Sequence, residues 1–171
     1  MKWIALLRGV NVGGHRKLPM AELRAALEKM GYRGVETLLA SGNLVFEAKG
    51  KAASLESKLE ADLKKAFGLT TDVMIRDPKE WAAIIEANPF PDEAEEDPSH
   101  FVVVALKAKP GLEAVKALAA HRGPEKVHVR GREAYVFYGE RMADSKLNLT
   151  KLGSGTARNW NTVLKLAAMV G

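Results

Sequence analysis

The 171-residue chain reads as an α/β (α+β) protein built from two tandem βαββ-type units. Three observations predict this. Short apolar runs of strand length alternate with stretches whose apolar residues recur every three or four positions. Glycines and prolines punctuate the joints between them. After an acidic, proline-bounded stretch in the middle, the same order begins again.

Residues 2–8 form the first strand by their apolar run. Pro19 suits the first turn of a helix, where its missing N–H costs nothing. Met20, Leu23, Leu27 and Met30 keep helical spacing, and Gly31 supplies the stop. Residues 35–40 and 44–47 read as two strands joined at Ser41-Gly42-Asn43, a good hairpin turn. Leu55, Leu59, Leu63 and Phe67 mark the next helix, ended by Gly68, and residues 72–76 make a short strand. This β-α-β-β-α-β order is the ferredoxin-like pattern. Asp77-Pro78-Lys79-Glu80 then opens another helix with a cap, a proline and a glutamate three residues on.

Asp92, Glu93, Glu95, Glu96 and Asp97 lie between prolines and read as a solvated linker. The expected division is a first ferredoxin-like unit with a connecting helix over 1–88, a linker over 89–99, and a second unit over 100–171. In the second unit, 101–106 is a strand, Leu112, Val115 and Leu118 mark a helix, and 127–130 with 133–138 make a hairpin turning at Gly131. The repeat is imperfect. No clear final strand is legible, and the chain is expected to end in helices near 144–152 and 156–169.

Composition narrows the function classes. An apolar content of 47% supports a real core, and the absence of cysteine excludes disulfides and thiol chemistry. No signal-peptide pattern opens the chain, and no apolar run reaches the ~20 residues of a membrane helix. These features point to a soluble cytoplasmic protein without a membrane partner. Four scattered histidines and no cysteine speak against zinc, and nothing calls for a cofactor. Residues 121–165 hold nine Lys/Arg against four Asp/Glu, which carries the whole excess of the +5 net charge. Such a bias admits phosphate-bearing partners, nucleic acid among them.

The candidate site begins where the first strand breaks into Arg8-Gly9-Val10-Asn11-Val12-Gly13-Gly14-His15-Arg16-Lys17. The spacing Gly9 to Gly14 imitates a P-loop, but His15 and Arg16 stand where Lys and Ser/Thr are required. In the predicted topology the first and third strands are antiparallel neighbours, so this loop and the Ser41-Gly42-Asn43 turn share one rim of the sheet. Arg8, Asn11, Lys17, Ser41 and Asn43 could converge there, with the amides of Gly13 and Gly14 as extra donors. A third polar segment closes the chain. Thr156 reads as an N-cap. Trp160, Val163, Leu164 and Ala167 form the inward stripe of its helix, while Arg158, Asn161, Thr162 and Lys165 share the opposite face. Glycine turns and solvated helix faces would look the same, so these residues are candidates for ligand binding and no more. No catalytic set is legible: Ser41 lacks a His/Asp partnership, and His15 is the only histidine in the motifs.

Together these segments resemble the bacterial domain-of-unknown-function family number sixteen ninety-seven. Its opening Arg-Gly-Ile/Val-Asn-Val-Gly-Gly is matched by residues 8–14, and its Ser-Gly-Asn-hydrophobic-Val-Phe by 41–46. Its Ser-Lys-Leu is matched by 145–147, and Thr-x-Arg-Asn-Trp-Asn-Thr-Val-x-Lys-Leu by 156–166. Asp144 departs from the small polar residue more usual there. The resemblance implies a duplicated ferredoxin-like architecture and a joint site at Arg8, Asn11, Ser41, Asn43, Arg158 and Asn161, without naming a ligand.

Three functions compete. The first is binding of a small phosphate- or carboxylate-bearing ligand, with Arg suited to planar anions. The second is an RNA-binding module, for which Arg130-Gly131 and the Tyr135-Val136-Phe137 strand offer a loose match to the RNA-recognition signature. The third is a structural domain whose second sheet edge is completed by a partner or another copy.

Overall fold

The computed structural model describes residues 1–12 and 17–171. It is a mixed α/β protein with two four-stranded antiparallel sheets, eight strands and six α-helices among the described residues. Contacts group Met1–Ala82 with Leu166–Gly171 in one compact unit and Ala83–Lys165 in the other. The division thus falls ahead of the acidic stretch.

In the first unit β1 (Lys2–Leu7), α1 (Met20–Lys29), β2 (Arg33–Leu38), β3 (Asn43–Glu47), α2 (Ala52–Phe67) and β4 (Val73–Arg76) follow the expected order. The strands lie as β2-β3-β1-β4, which is compatible with the ferredoxin-like pattern. β1 is central and buried on both faces from Trp3 onward, which explains its unbroken apolar run. Leu23 and Leu27 of α1 and Leu55, Leu59 and Leu63 of α2 cover Trp3, Ala5, Leu44, Phe46 and Ile75 in one core. Gly68, at φ +64, ends α2 in the left-handed conformation that glycine adopts without a Cβ clash.

The β4 edge is covered from within. The backbone N–H groups of Val73 and Ile75 donate to the carboxylates of Glu60 (2.9 Å) and Glu56 (2.8 Å) on α2. Glutamates on a helix thereby occupy donors that an open edge would offer to another strand. Helix α3 (Pro78–Glu86) begins with the capping box anticipated from its letters. Glu80 N–H donates to the Asp77 carboxylate at 2.7 Å, and Asp77 N–H to the Glu80 carboxylate at 3.2 Å.

The second unit holds α4 (Pro91–Glu96), β5 (Phe101–Leu106), α5 (Leu112–Ala119), β6 (Lys126–Arg130), β7 (Glu133–Phe137), β8 (Gly155–Asn159) and most of α6 (Trp160–Val170). Its strand order, β6-β7-β5-β8, reproduces that of the first sheet.

Four expectations need correction here. The second unit has its fourth strand: Thr156 is not an N-cap but lies in β8, paired with Ala105, and α6 starts at Trp160. Asn159 is the cap instead, accepting from Thr162 N–H at 3.0 Å. A five-residue segment opening with Gly-Thr carries no periodicity of its own, and pairing with the fully buried β5 decides its state. The helix expected near 144–152 is replaced by two short 3-10 turns, Gly139–Asp144 and Thr150–Leu152. Leu147, Leu149 and Leu152 pack beside Leu118 of α5 on the sheet, so an extended segment does what α2 does in the first unit. The acidic stretch is not a plain linker, because α4 occupies it. Pro91 suits its first turn, Ala94 is buried, and Glu93 pairs with Lys126 of β6 at 2.8 Å. On α6, Trp160 and Val163 are buried as expected, but Thr162 is buried and Leu164 is 45% exposed, against the expected stripe at those two positions.

Candidate functional site

At the end of β1 the chain is tied to both neighbouring strands. Leu7 N–H donates to the Gly42 carbonyl (2.9 Å) on the β3 side, and Arg8 N–H to the Asp72 carbonyl (3.1 Å) on the β4 side. The register places Leu6 opposite Asn43. The first loop and the Ser41-Gly42-Asn43 turn therefore do share a rim, as antiparallel pairing of β1 with β3 requires.

Asn11 holds the two together. Its backbone is left-handed, φ +56, a conformation Asn tolerates better than most residues. Its amide nitrogen donates to the carbonyls of Leu18 (2.9 Å) and Ala40 (2.6 Å), and its amide oxygen accepts from Leu18 N–H (2.6 Å). Asn43 is fully buried. Its amide donates to the Leu38 carbonyl (2.7 Å) and to the Ser41 hydroxyl oxygen (2.9 Å). Both side chains thus spend their donors on loop geometry, Asn43 as a buried amide must. Gly42, φ +89, is required by space as well as by conformation: a Cβ there would lie 2.6 Å from Val10 Cγ2.

The cations divide between the two flanks of β1. Arg8 leans toward β4, its guanidinium 3.7 Å from the half-exposed Asp72 carboxylate, while Thr71 donates to the Arg8 carbonyl at 2.6 Å. Lys17 is exposed. It lines a hollow of about 360 Å3 with Asn11, Leu18, Pro19, Met20 and Ala40 at the start of α1. Among the described residues no side chain caps that helix, and the N–H groups of its first turn lack intrahelical acceptors by geometry. Gly13, Gly14 and His15 lie outside the described residues.

In the second unit, Thr156 and Arg158 meet on one face of β8. The guanidinium donates to the Thr156 hydroxyl oxygen (2.7 Å) and to the Ala157 carbonyl (2.9 Å). Burial pushes it down to about 10, still protonated at neutral pH. Asn161 and Lys165 are exposed on α6.

Sequence reasoning passed over Arg76. It is buried, and its guanidinium donates to the preceding carbonyl, Ile75 O, at 3.0 Å. Arg158 does the same to Ala157. Arg76 sits opposite Ile4 and Arg158 opposite Val103, at the same place in each sheet, and each is followed by a helix cap, Asp77 or Asn159. The signal was there in the repeated strand-Arg-Asp/Asn-helix order.

The loose match to the RNA-recognition signature finds no support in the geometry. Tyr135 is fully buried and donates to the Ile84 carbonyl at 2.5 Å, so it offers no stacking face, and the half-buried Phe137 packs against Phe101. Among the described residues no group of three or more His, Asp or Glu could hold a metal ion. No helix among them is long and apolar enough to cross a membrane.

Fold and rim together define a duplicated α/β protein with a loop-built polar edge. The model of the family described as "Protein of unknown function (DUF1697)" matches residues 1–135, and the chain belongs to that family. Among solved structures it is similar to the conserved bacterial protein SP0830 from Streptococcus pneumoniae, with TM-score 0.79 and 23% identity over 99% of this chain and 98% of that one. At that identity the likeness concerns the fold. The search of curated proteins gave no match.

Proposed function

We propose that this DUF1697 protein binds a small phosphate- or carboxylate-bearing ligand at the rim of its first sheet. The observation that carries the reading is the hollow beside Asn11, where, among the described residues, Lys17 is the one charged lining residue and no side chain caps the adjoining start of α1. Unpaired first-turn N–H groups and the positive end of the helix dipole favour an anion. Asn11 and Asn43 serve as the frame: they hold the loop and hairpin in register, and the ligand meets Lys17 and the backbone. Glu22, in the first turn of α1, opposes the incoming charge and tunes it.

The test is calorimetric titration and thermal unfolding with inorganic phosphate, sugar phosphates, nucleotides and dicarboxylates. A ligand at one hundred times its Kd should stabilise the protein by about 2.7 kcal/mol, a rise of several degrees in Tm. Lys17→Ala should weaken that ligand about tenfold and Glu22→Gln should tighten it, because both residues are exposed and act through charge. No shift across the panel, or a ligand indifferent to both changes, overturns the proposal.

A further inference from the structure

A hollow of about 630 Å3 lies at the opposite rim of the same sheet, where β1 begins, β3 ends and α1 runs into β2. We infer that it is a binding site for a small organic anion with an aliphatic body, of the kind represented by a medium-chain acyl carboxylate. Its volume falls in the range of small-molecule sites.

Two features decide the class. Met30, Ala48 and Leu55 give the lining aliphatic surface, and Tyr32 forms one wall. The Tyr32 ring is already engaged: its edge-to-face partner is Phe46 at 5.4 Å, the Lys58 ammonium sits 4.3 Å over it, and its hydroxyl donates to Asp62 at 2.7 Å. Lys58 is itself held by Asp62, also at 2.7 Å. The ring is thus a fixed wall more than a stacking platform, which favours an alkyl body over an aromatic one.

The mouth supplies charge. Arg33 and Lys49 are both exposed lining residues, and neither is ion-paired among the described residues. The acid of the lining, Glu47, pairs in register with Arg33, but its carboxylate lies along Gly34: a Cβ at that glycine would come within 3.3 Å of Glu47 Cδ and Oε2. The β2–β3 register shifts between Arg33 and Glu36, so a bulge at Gly34 (φ +57) gives that carboxylate its berth. Two cations over an apolar floor match a carboxylate head on an alkyl tail.

Octanoate, octanol and octylammonium provide the comparison, titrated by calorimetry into the full chain. Octanoate should bind once per chain, at least tenfold tighter than octanol, with octylammonium weaker still. Arg33→Glu with Lys49→Glu should cost octanoate at least tenfold while leaving far-UV circular dichroism unchanged. The Trp3 indole N–H donates to the Ala48 carbonyl at 3.1 Å, so its NMR resonance should move with octanoate and locate the ligand. Lys17→Ala should leave octanoate binding intact, which separates this site from the anion rim. Equal binding of octanoate and octanol, an unaffected double variant, or a still Trp3 resonance overturns the inference.

Discussion

The two units solve the same structural problem with different parts. In each, the central strand ends in a matched pair of bonds: Leu7 to Gly42 and Arg8 to Asp72 in the first, Leu106 to Arg132 (2.8 Å) and Lys107 to Ser154 (2.8 Å) in the second. Around that common frame the connections diverge. The first unit joins β1 to α1 through residues 8–19 and turns its hairpin over 39–42, whereas the second uses 107–111 and the two residues Gly131 and Arg132. Binding sites accumulate on long connections, which supports the proposal of a rim site in the first unit. The exchange runs the other way on the covering layer. Where the first unit lays α2 over its sheet, the second lays a segment with Leu147, Leu149 and Leu152.

That segment is fastened by a polar clasp. The Ser145 hydroxyl donates to one oxygen of Glu125 (2.5 Å), and His121 Nε2 lies 2.9 Å from the other. A Cβ at Gly123 would strike both Glu125 and His121, so glycine there lets the pair close. The acid stands between serine and histidine, an order that fastens a loop and does not activate a nucleophile.

Truncating matched lid residues should break the comparison most sharply. Leu59→Ala on α2, at a fully buried position between helix and sheet, should cost about 4 kcal/mol, because a rigid helix cannot close the cavity. Leu152→Ala should cost about 2 kcal/mol, since a short turn relaxes more easily. Denaturant unfolding of both variants measures the gap, and equal losses would show that the two lids are mechanically alike.

The two hairpin glycines come next. Gly42→Ala combines left-handed strain with a 2.6 Å approach to Val10 and should cost about 3 kcal/mol. Gly131→Ala, at φ +58 with nothing within 4 Å of its Cβ, should cost about 1 kcal/mol from strain alone. Chemical unfolding again decides.

The smallest effect is on pH dependence. Hydrogen bonds from Ser145 first, then His121, hold the Glu125 carboxyl below its ordinary value of 4.5. A depressed acid contributes stability that is complete above 4.5 and lost as pH falls through the lower folded value. Hydrogen exchange in the second unit should accelerate over that window, and Glu125→Gln should flatten the dependence. An unchanged profile in the Gln variant would remove the clasp from the account.

Local signals carried the first unit well. Helical spacing from Leu23 to Leu27 and from Leu55 to Leu63, the glycine stops at Gly31 and Gly68, and the Asp77/Glu80 box all act within a few residues. They were legible because their partners are near in the chain. Strand β8 was not, because its pairing partner β5 lies some fifty residues earlier. The same distance hid the work of Asn11, whose letters look like a ligand contact until Ala40 arrives to accept its proton. Helical spacing alone says nothing of Glu56 and Glu60, which cap an edge strand. Of the candidate site, the meeting of loop and turn followed from strand order alone. The division of cations between the flanks of β1 did not.

What the letters determined by themselves is the order of elements in the first unit, the opening of its repeat in the second, and the family, since all rest on short-range pattern and motif. What the tertiary structure decided is which polar side chains stay available. An amide or guanidinium buried beside a backbone carbonyl must bond to it, and only the fold says which carbonyls come within reach.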